Sequence, residues 1–201
     1  MSQGVVIAAA VEGVIDEAVV RKLIVQAGAV PGTVCGKQGK GYLRRKIAGY
    51  NSAARRTPWL ILVYLDQDYD CAPALCNEWL PSPAHHLCFR IAVPEVEAWL
   101  MADFMRIASF LSIHRTRVSS TPESLADPKA EMVELSRHSR RRDIREDMIP
   151  RRRSHRRVGP GYSARLIEYV GKRWRPDVAA EHSDSLKRAL RCIRRLSTQK
   201  H

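Results

Sequence analysis

Trp59-Leu60-Ile61-Leu62-Val63-Tyr64-Leu65-Asp66-Gln67-Asp68-Tyr69-Asp70 is an apolar run that ends abruptly in three alternating carboxylates. The run follows Pro58, and Trp59 to Val63 predict a short strand buried on both faces, as in a parallel sheet covered by helices. The acids then stand at the strand's carboxyl end, which in an open parallel sheet is the edge where ligands bind. Like charges brought together by folding repel unless a cation lies among them, so Asp66 and Asp68 point to a Mg²⁺-type site of hard oxygen ligands. A polar turn or helix cap accounts for the same residues.

Upstream, Gly4 to Val11 is small and β-branched and runs into Glu12-Gly13. Beyond it Ile15, Val19 and Leu23 recur at helical spacing, with acids early and cations late. A strand, a turn at Gly13 and a helix place Glu12 at a strand end like that of Asp66, although its charge also complements a helix N-terminus. Ala29 to Cys35 reads as a weaker strand leading into Gly36-Lys37-Gln38-Gly39-Lys40-Gly41. Glycines there admit backbone amides to a phosphate while Lys37 and Lys40 add charge; a flexible loop with exposed lysines is the alternative. It is not a Walker A loop. Gln38 stands where a Mg²⁺-binding Ser or Thr is required, and the glycine spacing is one residue short, which disfavours a nucleotide triphosphatase. A helix is predicted from Tyr42 to Ala54, with Leu43, Ile47 and Tyr50 inward.

Downstream, Pro73 to Leu80 reads as a short helix and Leu87 to Val93 as a fourth strand. Pro94 is expected to open one helix whose apolar stripe is Val96, Trp99, Leu100, Phe104, Ile107 and Leu111, with Glu95 and Glu97 in its first turn. His85-His86 have no partner at metal-ligand spacing and read as a surface loop. Strand and helix alternation with right-handed crossovers predicts an α/β fold with a mainly parallel central sheet flanked by helices. Glu12, Lys37, Asp66, Asp68 and Glu97 then share one sheet edge. Acids from three strand ends beside a lysine-bearing loop are what metal-assisted phosphoryl chemistry needs.

The α/β core is expected over residues 1–111, with a helical, arginine-rich extension over 112–201 packed on it. A loop from Ser112 to Ala126 precedes a helix that Asp127-Pro128-Lys129 starts and that runs to about Leu135. Arg137, Arg140, Arg141, Arg142, Arg145, Arg151, Arg152, Arg153, Arg156 and Arg157 follow closely. Such a run matches the geometry of a nucleic-acid backbone without reading its sequence, or else it is a solvated connector. No aromatic residue interrupts it, so base stacking there is unsupported. In the last helix Ser183 can cap, Leu186, Ala189, Leu190, Ile193 and Leu196 face inward, and five cations face out.

The 201 residues suffice for one substantial core, and 45% hydrophobic with 27% charged content excludes global disorder. Thirty-four Lys and Arg against 21 Asp and Glu give a net charge of +13, which favours a polyanion such as nucleic acid. No membrane partner is expected: Val5 to Val11 is too short to span a bilayer, and no basic amphipathic helix is foreseen at a terminus to insert into an anionic surface. Met1-Ser2-Gln3 offers no basic leader, so a cytoplasmic location is expected. The five cysteines are scattered without zinc spacing, and most read as core thiols of a reducing compartment.

Glu12-Gly13 with Asp16, and Asp66-Gln67-Asp68 after an apolar strand, resemble the Toprim superfamily of topoisomerases, primases and metal-dependent nucleases. Val11-Glu12-Gly13, Gly36-Lys37-Gln38-Gly39-Lys40, the Asp-x-Asp segment, Val93 to Asp103 and Gly159-Pro160-Gly161-Tyr162 together resemble a bacterial Toprim-like family, the domain of unknown function 4276. The resemblance covers nearly the whole chain. It implies a compact α/β domain, Mg²⁺ or Mn²⁺ held by Glu12, Asp66 and Asp68, and a proton-moving role for Glu12. By the same resemblance, Glu97 serves a second metal or a water, and Asp70, standing where many Toprim domains carry glycine, is a further ligand or alters the turn. A metal-dependent nuclease follows, with Lys37, Lys40, Arg141, Arg152 and Arg153 on the nucleic-acid backbone. The resemblance also implies an AAA or SMC-like ATPase partner and a role in phage defence or DNA repair. The alternative is a nucleic-acid-binding or ATPase-partner subunit with little activity alone. A topoisomerase or primase role is weakest, because no further domain carries a nucleophilic tyrosine or a nucleotide site.

Overall fold

The structure, a computed structural model, describes residues 4–65 and 71–198. Four strands alternate with helices: β1 (Val6–Val11), α1 (Val14–Gln26), β2 (Val30–Gly36), α2 (Lys40–Ala53), β3 (Trp59–Tyr64), α3 (Ala72–Trp79) and β4 (Leu87–Ala92). Then come α4 (Val96–Met101), α5 (Phe104–Leu111), α6 (Pro128–Arg137), α7 (Arg142–Met148), α8 (Tyr162–Lys172), α9 (Pro176–Ala179) and α10 (Asp184–Thr198). The sheet is parallel throughout, in the order β2-β1-β3-β4. The protein is therefore an α/β protein of Rossmann-like architecture. Its register pairs Val11 with Leu62 and Tyr64 with Ala92, so the carboxyl ends of β1, β3 and β4 lie side by side.

Each face of the sheet has its own core. Ile61, Val63 and Phe89 point toward α2 and α3, where they meet Leu43, Ile47, Leu75 and Trp79. On the other face Ile7, Val11, Leu60, Leu62 and Cys88 meet α1, and that core continues without a break through Trp99, Met132, Ile144, Leu166, Trp174 and Leu190. The arginine-rich half thus folds as part of the sheet's larger cover. Trp99 is fully buried, and its indole N–H donates to Ser185 Oγ at 2.6 Å, so truncation to Ala would cost about 3–5 kcal/mol.

Three expectations need correction. Pro94 does not open a helix: it follows a cis Val93–Pro94 bond and precedes Glu95, the N-cap of α4. The single helix expected to reach Leu111 is two, because Asp103 leaves helical geometry to receive Arg175 Nε at 2.9 Å and Nη2 at 2.7 Å from a remote part of the chain. A basic amphipathic helix does stand at the carboxyl end: α10 carries Lys187, Arg188, Arg191, Arg194 and Arg195 outward. Its apolar face is already buried on the sheet through Leu186, Ala189, Leu190 and Ile193 and is not free to enter a membrane. Among the described residues no helix is long and apolar enough to cross a membrane. Within the expected connector, residues 142–148 form α7. Two caps are as the sequence indicated: Asp127 Oδ1 accepts the Ala130 N–H at 2.9 Å, and Ser183 Oγ accepts that of Leu186 at 3.2 Å.

Candidate functional site

The site grows from the place where β1 stops one residue short of its neighbour's needs. The Tyr64 N–H, at the end of β3, has no β1 carbonyl opposite, and Glu12 Oε1 accepts it at 2.7 Å. Glu12 is thereby fixed against Tyr64, which precedes Asp66 by two residues in the sequence. The Tyr64 hydroxyl donates to Asp16 Oδ1, and Asp16 Oδ2 accepts the Gly13 N–H at 2.8 Å in the first turn of α1. Asp16 is fully buried, and that burial raises its carboxyl to about 6 although Tyr64, Gly13 and Lys129 pull it down.

Glu97 completes the cluster from the first turn of α4. It is 1% exposed, and burial raises it to about 7, opposed by Lys129 and reinforced by Glu95 and Asp16. Its Oε1 accepts the Tyr162 hydroxyl at 3.1 Å and lies 3.7 Å from Lys129 Nζ, while its Oε2 is buried without a hydrogen-bond partner. Lys129, from the start of α6, pairs with Glu95 Oε2 at 3.0 Å and stands 5.9 Å from the Tyr64 ring centre. Burial would lower its ammonium, but Glu97 and Glu95 outweigh that and raise it. Tyr64 is the hub: burial first, then Asp16, Glu97 and Glu12, push its phenol well above the ordinary range. A carboxyl poised near neutrality is suited to exchange a proton at working pH.

Of the residues indicated by the sequence, Glu12 and Glu97 lie at this edge. Asp66, Asp68 and Asp70 lie outside the described residues, which end on either side of them at Leu65 and Cys71. Lys40, the first residue of α2, donates to the Leu65 carbonyl at 3.3 Å. Lys37 sits in the left-handed region at φ 67° and pairs with Glu17 at 2.9 Å. Asp16, Tyr64, Glu95, Lys129 and Tyr162 were not foreseen as site residues. Tyr64 and Asp16 each stand near a foreseen acid, and Tyr162 closes a segment quoted for the resemblance, but no local pattern links Lys129 or Tyr162 to Glu97. Among the described residues, no three His, Cys, Asp or Glu side chains form a metal-holding group.

The arginine run divides by environment. Arg141 pairs with Asp143, Arg142 with Glu146 at 2.7 Å, and Arg145 donates to the Ser139 carbonyl. Arg151, Arg152, Arg153 and Arg156 are exposed on the loop after α7, and Arg142, Arg145 and Arg151 line a cavity of about 680 Å³. The stems of this loop are clasped: Gly159 N donates to Met148 O at 3.0 Å and Gly161 N to Asp147 O at 2.9 Å. A Cβ on Gly159 would lie 2.3 Å from the Asp147 carbonyl, so only glycine fits. The loop is also tied to the acids. Arg157 pairs with Asp127, two residues before Lys129, and Tyr162 follows the second clasp residue directly.

No family model matches the chain, and neither does any curated protein or solved structure.

Proposed function

We propose that the protein is a divalent-metal-dependent nuclease of Toprim type that hydrolyses phosphodiester bonds of DNA or RNA. The observation that carries this reading is the gathering of Glu12, Asp16 and Glu97 around Tyr64 at the carboxyl edge of a parallel sheet, with Glu97 Oε2 buried and unpartnered. An orphaned carboxylate oxygen among oxygen donors fits Mg²⁺ or Mn²⁺, and Glu12 with Asp66, Asp68 and Asp70 would supply the remaining ligands. Such an ion supplies Lewis-acid activation of water and phosphate. Glu97 and Asp16 can hold or release a proton near neutral pH, and the exposed arginines of the loop after α7 can hold the backbone through phosphate contacts alone. A cytoplasmic setting is part of this proposal, and the sequence resemblance adds an AAA or SMC-like ATPase partner and a role in phage defence or DNA repair.

The second reading is a nucleic-acid-binding or ATPase-partner subunit with little activity alone. Lys129 favours it, because its ammonium already neutralises Glu95 and Glu97 without any ion. Incubation of the full chain with labelled single- and double-stranded DNA and RNA, with Mg²⁺, Mn²⁺ or chelator, separates the two. The nuclease reading expects metal-dependent cleavage that Asp66→Asn with Asp68→Asn abolishes while binding persists. Intact substrates in both metals, with a salt-sensitive complex indifferent to chelator, would replace it with the second.

A further inference from the structure

Away from the acidic edge, α1 and α8 pack together, and a cavity of about 500 Å³ opens beside them. Five cations line it: Lys22 from α1, Arg106 from α5, Lys172 at the end of α8, and Arg173 and Arg175 from the link to α9. Glu168 is the one carboxylate among the lining residues. Two of the cations are engaged: Lys172 Nζ donates to Glu168 at 3.2 Å, and Arg175 donates from Nε and Nη2 to the buried Asp103 at 2.9 and 2.7 Å. Lys22, Arg106 and Arg173 form no ion pair among the described residues. The turn that carries Arg173 and Arg175 is fixed, since the Arg173 and Trp174 N–H groups both donate to the Tyr169 carbonyl, at 2.9 and 3.0 Å. Like charges collected around one space repel unless an anion lies among them. The negative end of α8 accounts for Lys172, but Arg106 stands in the first turn of α5, where a cation is disfavoured.

We propose that this cavity binds a compact oligophosphate, either free or as the tail of a nucleotide, through hydrogen bonds from its guanidinium and ammonium groups to phosphate oxygens. Guanidinium forks match phosphate geometry, and the volume lies in the range of small-ligand sites. Cations drawn from three helices and a link meet at a single cavity, which suits a short, multiply charged anion better than a strand followed along its length. Trp174, the one aromatic lining residue, is buried with its indole N–H on the Trp99 carbonyl at 3.3 Å, so it offers no platform on which a base could stack. The larger cavity beside the arginine loop differs, because Glu146 and Asp147 line it together with the arginines. No residue of the acidic edge lines the oligophosphate cavity, and the inference is independent of the nuclease reading.

The full chain, free of divalent metal, is titrated calorimetrically at matched ionic strength with sodium triphosphate, ATP, adenosine and orthophosphate. The expected result is one site for triphosphate or ATP, at least about tenfold tighter than for orthophosphate, with adenosine inert. Triphosphate binding more tightly than ATP assigns the free anion, the reverse assigns the nucleotide, and both support the proposal. Arg106→Ala with Arg173→Ala, both at exposed positions, should weaken binding by about tenfold or more, as loss of charged hydrogen bonds would. Arg151→Ala with Arg152→Ala and Arg153→Ala should leave it unchanged. Triphosphate bound no more tightly than orthophosphate by the wild-type chain would overturn the proposal, as would binding lost with the three loop arginines. Inert triphosphate, with an affinity for duplex DNA that falls when Arg106 and Arg173 are replaced, would make the cavity a nucleic-acid contact instead.

Discussion

Replacing Glu97 with Gln leaves the shape of the site and an oxygen for the Tyr162 hydroxyl, but removes a carboxyl that is 1% exposed. Burial raises that carboxyl from 4.5 to about 7, so the folded chain holds its proton more tightly than the unfolded chain does. Below the unfolded value both states are protonated and the stabilising difference is fully present. As pH climbs through the interval the unfolded chain ionises first, and the stability is lost by the time pH passes the folded value. The interval is worth about 3 kcal/mol, so Glu97→Gln should be more stable than wild type by up to about 3 kcal/mol near pH 8. For a chain of this size that is a Tm rise of about 6–10 °C, shrinking to nothing near pH 4. Circular-dichroism melts of both proteins across this range measure it. A variant equally destabilised at every pH would refute the claim that Glu97 is a charge held against its preference. Mg²⁺ or Mn²⁺ bound at Glu97 would raise the wild-type Tm at the alkaline end and leave the variant's unchanged.

Gly159→Ala should lower stability by about 3 kcal/mol or more in urea unfolding, because its Cβ would meet the Asp147 carbonyl at 2.3 Å and the Met148 carbonyl carbon at 2.6 Å. Asp103→Ala should cost about 3 kcal/mol by the same assay, since a carboxylate 1% exposed receives the Arg175 side chain and its backbone N–H, the latter at 3.2 Å. Replacing Arg151, Arg152 and Arg153 together with Ala should flatten the slope of log affinity for duplex DNA against log salt by about 3, read by fluorescence anisotropy at several salt concentrations. An unchanged slope would take the loop out of the binding surface.

The sheet was legible because its strands are short apolar runs closed by glycine, proline or acids, and because a run buried on both faces admits few alternatives. Trp59–Tyr64 is such a run, and Leu87–Ala92 is one interrupted only by the half-buried Arg90. What the sequence hid was decided by partners distant in the chain. The break at Asp103 depends on Arg175, which no periodicity around residues 94–111 contains. Glu12 and Glu97 were legible as strand-end and helix-start acids, since local pattern alone puts them there. Lys129 and Tyr162 reach Glu97 only because α6 and α8 pack over the same face as α4, a matter of tertiary placement.

The glycine clasp makes the segment from Ile149 to Val158 a self-contained cassette. Its two stems meet at Met148 and Gly159 whatever lies between them. Closing a ring costs only about 0.6 kcal/mol more for each doubling of its length. A longer or shorter tip, or one with its other arginines rewritten, can therefore be grafted there at little expense to the remainder, provided both glycines, the Arg157–Asp127 pair and Val158 on the core stay. Recognition of a new polyanion could evolve at that tip while the scaffold beneath is left alone.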